Sequence, residues 1–246
     1  MFAREVIFRL RSFLLKHMLY FRRTILLTTM SYDQYQMQPQ APQGRGSTLT
    51  PFVRETYRLF LFGMMGMAGL GVLSYNLLPQ SPIFALVGGL FSLIMWIAVC
   101  FGWRKPTRVV LPLFTVATGI MMGWLGHQYG HVFLPGALLT LGAFTGLTLY
   151  AHTTRKDFSY LIGFLWTSFW ILLIGIILNI FLHIPLLSLG IAALGAIVMG
   201  VWVLFDTSRL LRDNGQTMTP AEAATELLLD IVGLFRWILR LLDQFR

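Results

Sequence analysis

From about residue 52 onward the apolar positions run in long blocks rather than in the alternating or one-faced patterns of a soluble domain. Six blocks, approximately 58–78, 83–103, 109–126, 132–151, 160–183 and 184–206, each come close to the roughly 20 residues that a helix needs to cross a bilayer. The fifth and sixth are joined by so short a turn, around His183 and Pro185, that they must form an antiparallel hairpin. A polar connector follows, and within it Thr219, Pro220 and Glu222 have the spacing of an N-cap, a proline at the first helical position and a capping box. A seventh helix is therefore expected from about Pro220. At 100° per residue its Glu222, Glu226, Asp230, Gly233, Arg236, Trp237 and Arg240 fall within roughly one 140° sector, while Ile231, Leu234, Phe235, Ile238 and Leu242 face away. No lipid-exposed helix carries such a stripe. It must lie at the interface or turn its polar side into the bundle, and sixteen residues from Leu227 to Leu242 with only Asp230, Arg236 and Arg240 charged favour a short helix entering the bundle from one side.

Composition agrees with a membrane protein. Of 246 residues, 56% are hydrophobic and 12% charged, more apolar side chain than a soluble domain of this size can hide. The formal net charge of +9 would suggest nucleic acid in a soluble chain, but here the basic residues sit in short connectors, so no nucleic-acid partner is expected. The connectors after the first, third and fifth blocks contain no Lys or Arg. The others carry Arg54 and Arg58, then Arg104, Lys105 and Arg108, then Arg155 and Lys156, then Arg209 and Arg212. The positive-inside rule then places the N-terminus and the region after block six in the cytosol. Cys100, the single cysteine, lies in an apolar block with no partner for a disulfide.

Ahead of the blocks, residues 1–29 are basic and amphipathic, and Lys16 with His17 interrupts the apolar run that a secretory signal requires. They read either as a helix lying on anionic lipid or as an extension upstream of a start at Met30. Residues 30–51 are rich in Gln, Pro and Gly and are expected to be a disordered cytosolic tail; 52–246 form the membrane domain. Within the blocks, Gly142 with Gly146, and Ala192, Ala196 and Gly200, have the four-residue spacing that lets helices approach closely in lipid. Asn179 is expected to bond across helices.

The chemistry concentrates near the C-terminus. Asp206 closes the sixth block and Asp230 lies 24 residues later inside the seventh helix. Carboxylates in hydrocarbon are costly, so such residues face a protein interior or a wet cavity and mark an ion or proton path; the bland alternative for Asp206 is a helix-end residue exposed to the cytosol. Two carboxylates sharing one dry site titrate as a coupled pair, and hard oxygen ligands suit calcium, although two make a weak site. His127 and His131 have the spacing of a helical metal pair, but Gly130 interrupts the turn and no third ligand is near. No phosphate-binding loop, nucleophile elbow or His-Glu-x-x-His run is present, and an intramembrane aspartyl protease would need a Gly-x-Gly-Asp run that is missing. The chain is not expected to be an enzyme and needs no cofactor.

Phe205-Asp206-Thr-Ser-Arg-Leu-Leu, followed by Glu226-Leu-Leu-Leu-Asp230-Ile-Val-Gly-Leu-Phe235-Arg-Trp-Ile-Leu-Arg-Leu-Leu242, resembles the C-terminal signature of the Bax-inhibitor (transmembrane Bax inhibitor motif) family. Thr153-Thr-Arg-Lys-Asp-Phe-Ser-Tyr160 and Asn179-Ile-Phe-Leu-His-Ile-Pro-Leu are similar to its bacterial branch, which includes modulators of the FtsH membrane protease. The resemblance covers about Phe52 to Leu242. It implies an all-α integral membrane fold of six transmembrane helices around a seventh, C-terminal, partly polar helix, central or re-entrant, that does not fully span, in a bacterial inner membrane. It also implies a pH-sensitive calcium or cation leak in which Asp206 and Asp230 share a proton, with Arg104 or Arg108 as the basic latch. The alternative it implies is a non-conducting partner of a membrane AAA protease of the FtsH type.

Overall fold

The computed structural model describes residues 50–77, 83, 90, 107–154 and 156–245, without the side chains of 107–109. By internal contact the chain divides into Met1–Thr48 and Leu49–Arg246, and the second unit holds every helix described below. The expectations for residues 1–29 and for nearly all of the tail lie outside the described residues.

Among the described residues there are six α-helices and no strand: α1 (Pro51–Leu77), α2 (Thr107–Gln128), α3 (Gly130–Thr154), α4 (Ile162–Leu182), α5 (Pro185–Asp213) and α6 (Pro220–Asp243), with a 3-10 turn at Ser159–Leu161. Of the predicted block 83–103 only Ile83 and Leu90 are described, both helical. The first five helices are long and apolar enough to cross a membrane. Their outer faces carry large apolar side chains such as Leu61, Phe62, Leu134, Leu138, Phe181 and Leu186, which suits hydrocarbon and would be a liability in water.

Contacts between ends fix how the helices run. Thr50 at the start of α1 donates to Asn214 after α5 at 2.6 Å, and Arg212 near the end of α5 pairs with Asp157 just after α3. The basic starts and ends of α1, α3 and α5 therefore meet at one end of the bundle. At the other, Tyr75 of α1 stacks on His127 of α2 with ring centroids 4.0 Å apart, and His131 at the start of α3 meets Asp243 at the end of α6 at 3.3 Å. His183 ends α4 in the left-handed region (φ 50°) and Pro185 opens α5, so the predicted hairpin is present.

Helix α6 is the centre. It packs on α1, α2, α3 and α5, while α4 is held mainly on α5. Ala224, Leu228 and Leu239 are fully buried, and the whole run Leu227–Val232 is buried on every side. Burial all round excludes a helix lying on the membrane surface, and of the expected central or re-entrant placements it is the central one. The expectation of a short helix that stops part-way needs correction. Twenty-four residues at 1.5 Å each make about 36 Å, and Asp243 reaches His131 at the opposite end from Thr219. The polar stripe does not limit its depth, because protein rather than lipid surrounds it.

Close packing around α6 rests on glycine. A Cβ on Gly63 of α1 would come within 2.6 Å of Leu228, and one on Gly136 of α3 within 2.7 Å of Leu239. One on Gly195 of α5 would enter the ring of Trp237, and one on Gly233 of α6 would meet the tip of Met199. In lipid, such contact replaces the hydrophobic effect as the force between helices. Among the described residues a Cβ on Gly142 or Gly146, singled out by their spacing, would meet nothing within 4 Å, whereas Ala192 is buried and a Cβ on Gly200 would lie 3.4 Å from Leu147. The Oδ1 of Asn179 has no partner among the described residues, and its backbone carbonyl accepts the N–H of His183 at 2.9 Å.

Candidate functional site

The start of α6 is set by its first turn. Thr219 Oγ1 accepts the Glu222 N–H at 3.3 Å, and Glu222 Oε2 accepts the Thr219 N–H at 2.7 Å, the reciprocal capping box the sequence predicts. That turn fixes the rotation of α6, and with it the direction of Glu226 and Asp230, one and two turns further on. The opposing wall is α5. It does not stop at Asp206, as the block boundary suggests, but continues for nearly two turns to Asp213, so Asp206 sits inside a helix. Asp206 is 9% exposed and Asp230 4%, which rules out the cytosol-exposed alternative for Asp206.

The two helices run antiparallel and meet in layers. Nearest the Thr219 end, Arg209 Nη1 of α5 lies 3.4 Å from Glu226 Oε1 of α6, with the two side chains 33% and 16% exposed. One turn deeper, the buried Asp206 and Asp230 side chains interact with each other. Deeper again, Met199 of α5 rests on Gly233, and then Trp237 fills the notch at Gly195 with Arg240 5.3 Å over its ring. The sequence stripe on α6 is thus the face it turns to α5. Water reaches the first layer in part, and protein encloses the second.

In the second layer Asp230 Oδ2 is buried without a hydrogen-bond donor among the described residues, and Thr207 Oγ1 beside the pair in sequence is likewise buried and unpartnered. Two acceptors face each other there. An unmet buried acceptor costs about 1–3 kcal/mol, more when charged, and two carboxylates cannot both stay ionised in contact without a proton or a cation between them. The arrangement suits a shared proton, because the protonated oxygen of one carboxyl can donate to the other. It is a poor resident calcium site. Calcium takes about 6–8 oxygens, and among the described residues no group of three or more His, Cys, Asp or Glu is arranged to hold a metal.

Arg104 lies outside the described residues, and of Arg108 only the helical backbone at the start of α2 is described. Among the described residues the arginine at the acidic cluster is Arg209, which the sequence offered only as a marker of membrane orientation. Its place was legible in the spacing, since it lies three residues from Asp206 as Glu226 lies four from Asp230. His127 and His131 do not act as a pair: His127 Nε2 lies 3.0 Å from the Tyr75 carbonyl oxygen, while His131 faces Asp243.

Comparison with known proteins agrees with this architecture. An uncharacterized protein of Campylobacter jejuni is 29% identical over 229 residues, covering 87% of this chain and 97% of its own length. The Escherichia coli protein named modulator of FtsH protease YccA is 30% identical over 200 residues, covering 77% of this chain and 88% of its own. Bax inhibitor 1 of Schizosaccharomyces pombe is 28% identical over 233 residues, covering 87% and 84%. Residues 49–246, the whole of the helical unit, match the family described as inhibitor of apoptosis-promoting Bax1, and this chain is a membrane protein of that Bax-inhibitor family.

Proposed function

We propose that the chain is a cation leak, with calcium as the passing ion, controlled by a proton that Asp206 and Asp230 hold in common. The observation that carries this is the buried pairing of the Asp206 and Asp230 side chains, in which Asp230 Oδ2 has no donor among the described residues. With the proton in place the layer carries one negative charge rather than two and is closed by a hydrogen bond. Without it, two acceptors repel, and a cation is the species that relieves them. The positive-inside rule puts the Arg209 end in the cytosol and with it the N-terminus, in the inner membrane of a bacterial cell. Arg209 is the described cation of the cluster, and Arg104 or Arg108 at the α2 end remain part of the proposed latch. The test is calcium entry into proteoliposomes between about pH 5 and 8 for wild type and Asp206→Asn/Asp230→Asn. A protein-dependent flux whose pH response vanishes in the double variant supports the reading, and wild-type liposomes no leakier than empty ones sink it.

A second reading is favoured by one comparison, the relative named as a modulator of FtsH protease. On this reading the bundle docks on a membrane AAA protease and does not conduct, and residues 31–50 offer a handle. Co-purification with an FtsH-type protease then survives the double Asn substitution, and flux is absent throughout.

A further inference from the structure

The α5–α6 seam is polar on one side of the aspartate pair, and on the other its next layer is apolar, with Arg236 and Arg240 beyond it. Toward Thr219 the next layer is the partly exposed Arg209–Glu226 pair. Toward His131 it is Met199, 9% exposed, whose tip occupies the space that a side chain on Gly233 would fill. Val203 and Leu234 beside this contact are 0% and 3% exposed, and one turn further Trp237 fills the Gly195 notch. We propose that Met199, seated on Gly233, plugs the seam beyond the aspartate pair, so that Asp206 and Asp230 meet water from the Arg209 side only. An apolar constriction of this kind stops ions by excluding the water that must accompany them. Methionine suits the role because its unbranched thioether can swing aside by bond rotation, and glycine opposite leaves it room to seat and to leave. The proposal deepens the leak reading, on which its flux consequence rests, by placing the closure at an apolar contact rather than at an ion pair.

The experiment labels the two aspartates with a membrane-impermeant quaternary carbodiimide and an amine, applied separately to right-side-out and inside-out vesicles holding the full chain, with modification read by peptide mass. In wild type, Asp206 and Asp230 are modified from the Arg209 side and not from the other. Met199→Ala, with Met199→Ser as a second truncation should the first fail to fold, opens them to both sides and raises calcium flux several-fold, whereas Met199→Leu keeps the wild-type sidedness. Equal modification of wild type from both sides, or from neither, overturns the plug, as does a folded Met199→Ala protein with wild-type sidedness. Labelling as expected without calcium flux in any variant leaves the plug in place and removes the leak reading.

Discussion

Placing one methyl group on α5 at Gly195 tests whether α6 is held by glycine-mediated contact. A Cβ there lies 2.6 Å from Trp237 Cε2 and Cε3, ring atoms that cannot give way by a bond rotation at a flexible tip. At Gly142 of α3 the same Cβ meets nothing within 4 Å among the described residues. Both sites are helical, so Gly→Ala brings the same propensity gain of about 0.5–1 kcal/mol to each. The difference between the variants therefore isolates overpacking, which costs about 1–3 kcal/mol, a factor of roughly 5 to 150 in the unfolding constant. Reversible unfolding in mixed micelles, followed by tryptophan fluorescence, should show Gly195→Ala less stable than Gly142→Ala by that amount. Agreement of the two within about 0.5 kcal/mol would refute the central packing of α6 on α5.

Thr219→Ala removes the side-chain acceptor of the Glu222 N–H and leaves the Thr219 N–H to bond Glu222 Oε2, and should cost about 1 kcal/mol in the same titration. A double-mutant cycle on Arg209→Gln and Glu226→Gln should give a coupling no larger than about 1 kcal/mol, because both side chains are partly solvated; a coupling several times greater would mean the pair holds α5 to α6. His183 has a left-handed backbone at φ 50°, so His183→Gly should be close to wild type and His183→Val about 1–2 kcal/mol worse, measured in the same way.

Much of this architecture is legible in the chain because lipid imposes simple rules. Five of the six apolar blocks of about 20 residues are helices among the described residues, and the capping box at Thr219 and Glu222 fell where a side-chain acceptor three residues from a side-chain acceptor must satisfy the first N–H groups. The burial of Asp206 and Asp230 was legible for the same reason, since charge in hydrocarbon must turn inward. The depth of α6 was not. Its stripe looked incompatible with a crossing helix only because the partner face of α5, notched at Gly195 and filled by Met199 opposite Gly233, cannot be known before the helices are docked. For Gly142 and Gly146 a four-residue spacing puts small residues on one face without saying which helix that face meets, and among the described residues none lies within 4 Å of a Cβ there. Arg209 was hidden by its double meaning, as a residue at the basic end of a span is expected whether or not it pairs with an acid.

The central claim is that Asp206 and Asp230 act as one proton-holding unit, and the most direct test is calcium flux through proteoliposomes between about pH 5 and 8 for Asp206→Asn, Asp230→Asn and the double variant in parallel. Because neither carboxyl can share a proton alone, each single substitution should abolish the pH response as fully as the double. A single variant that keeps the wild-type pH profile, or two partial losses that add up to the double, would contradict it.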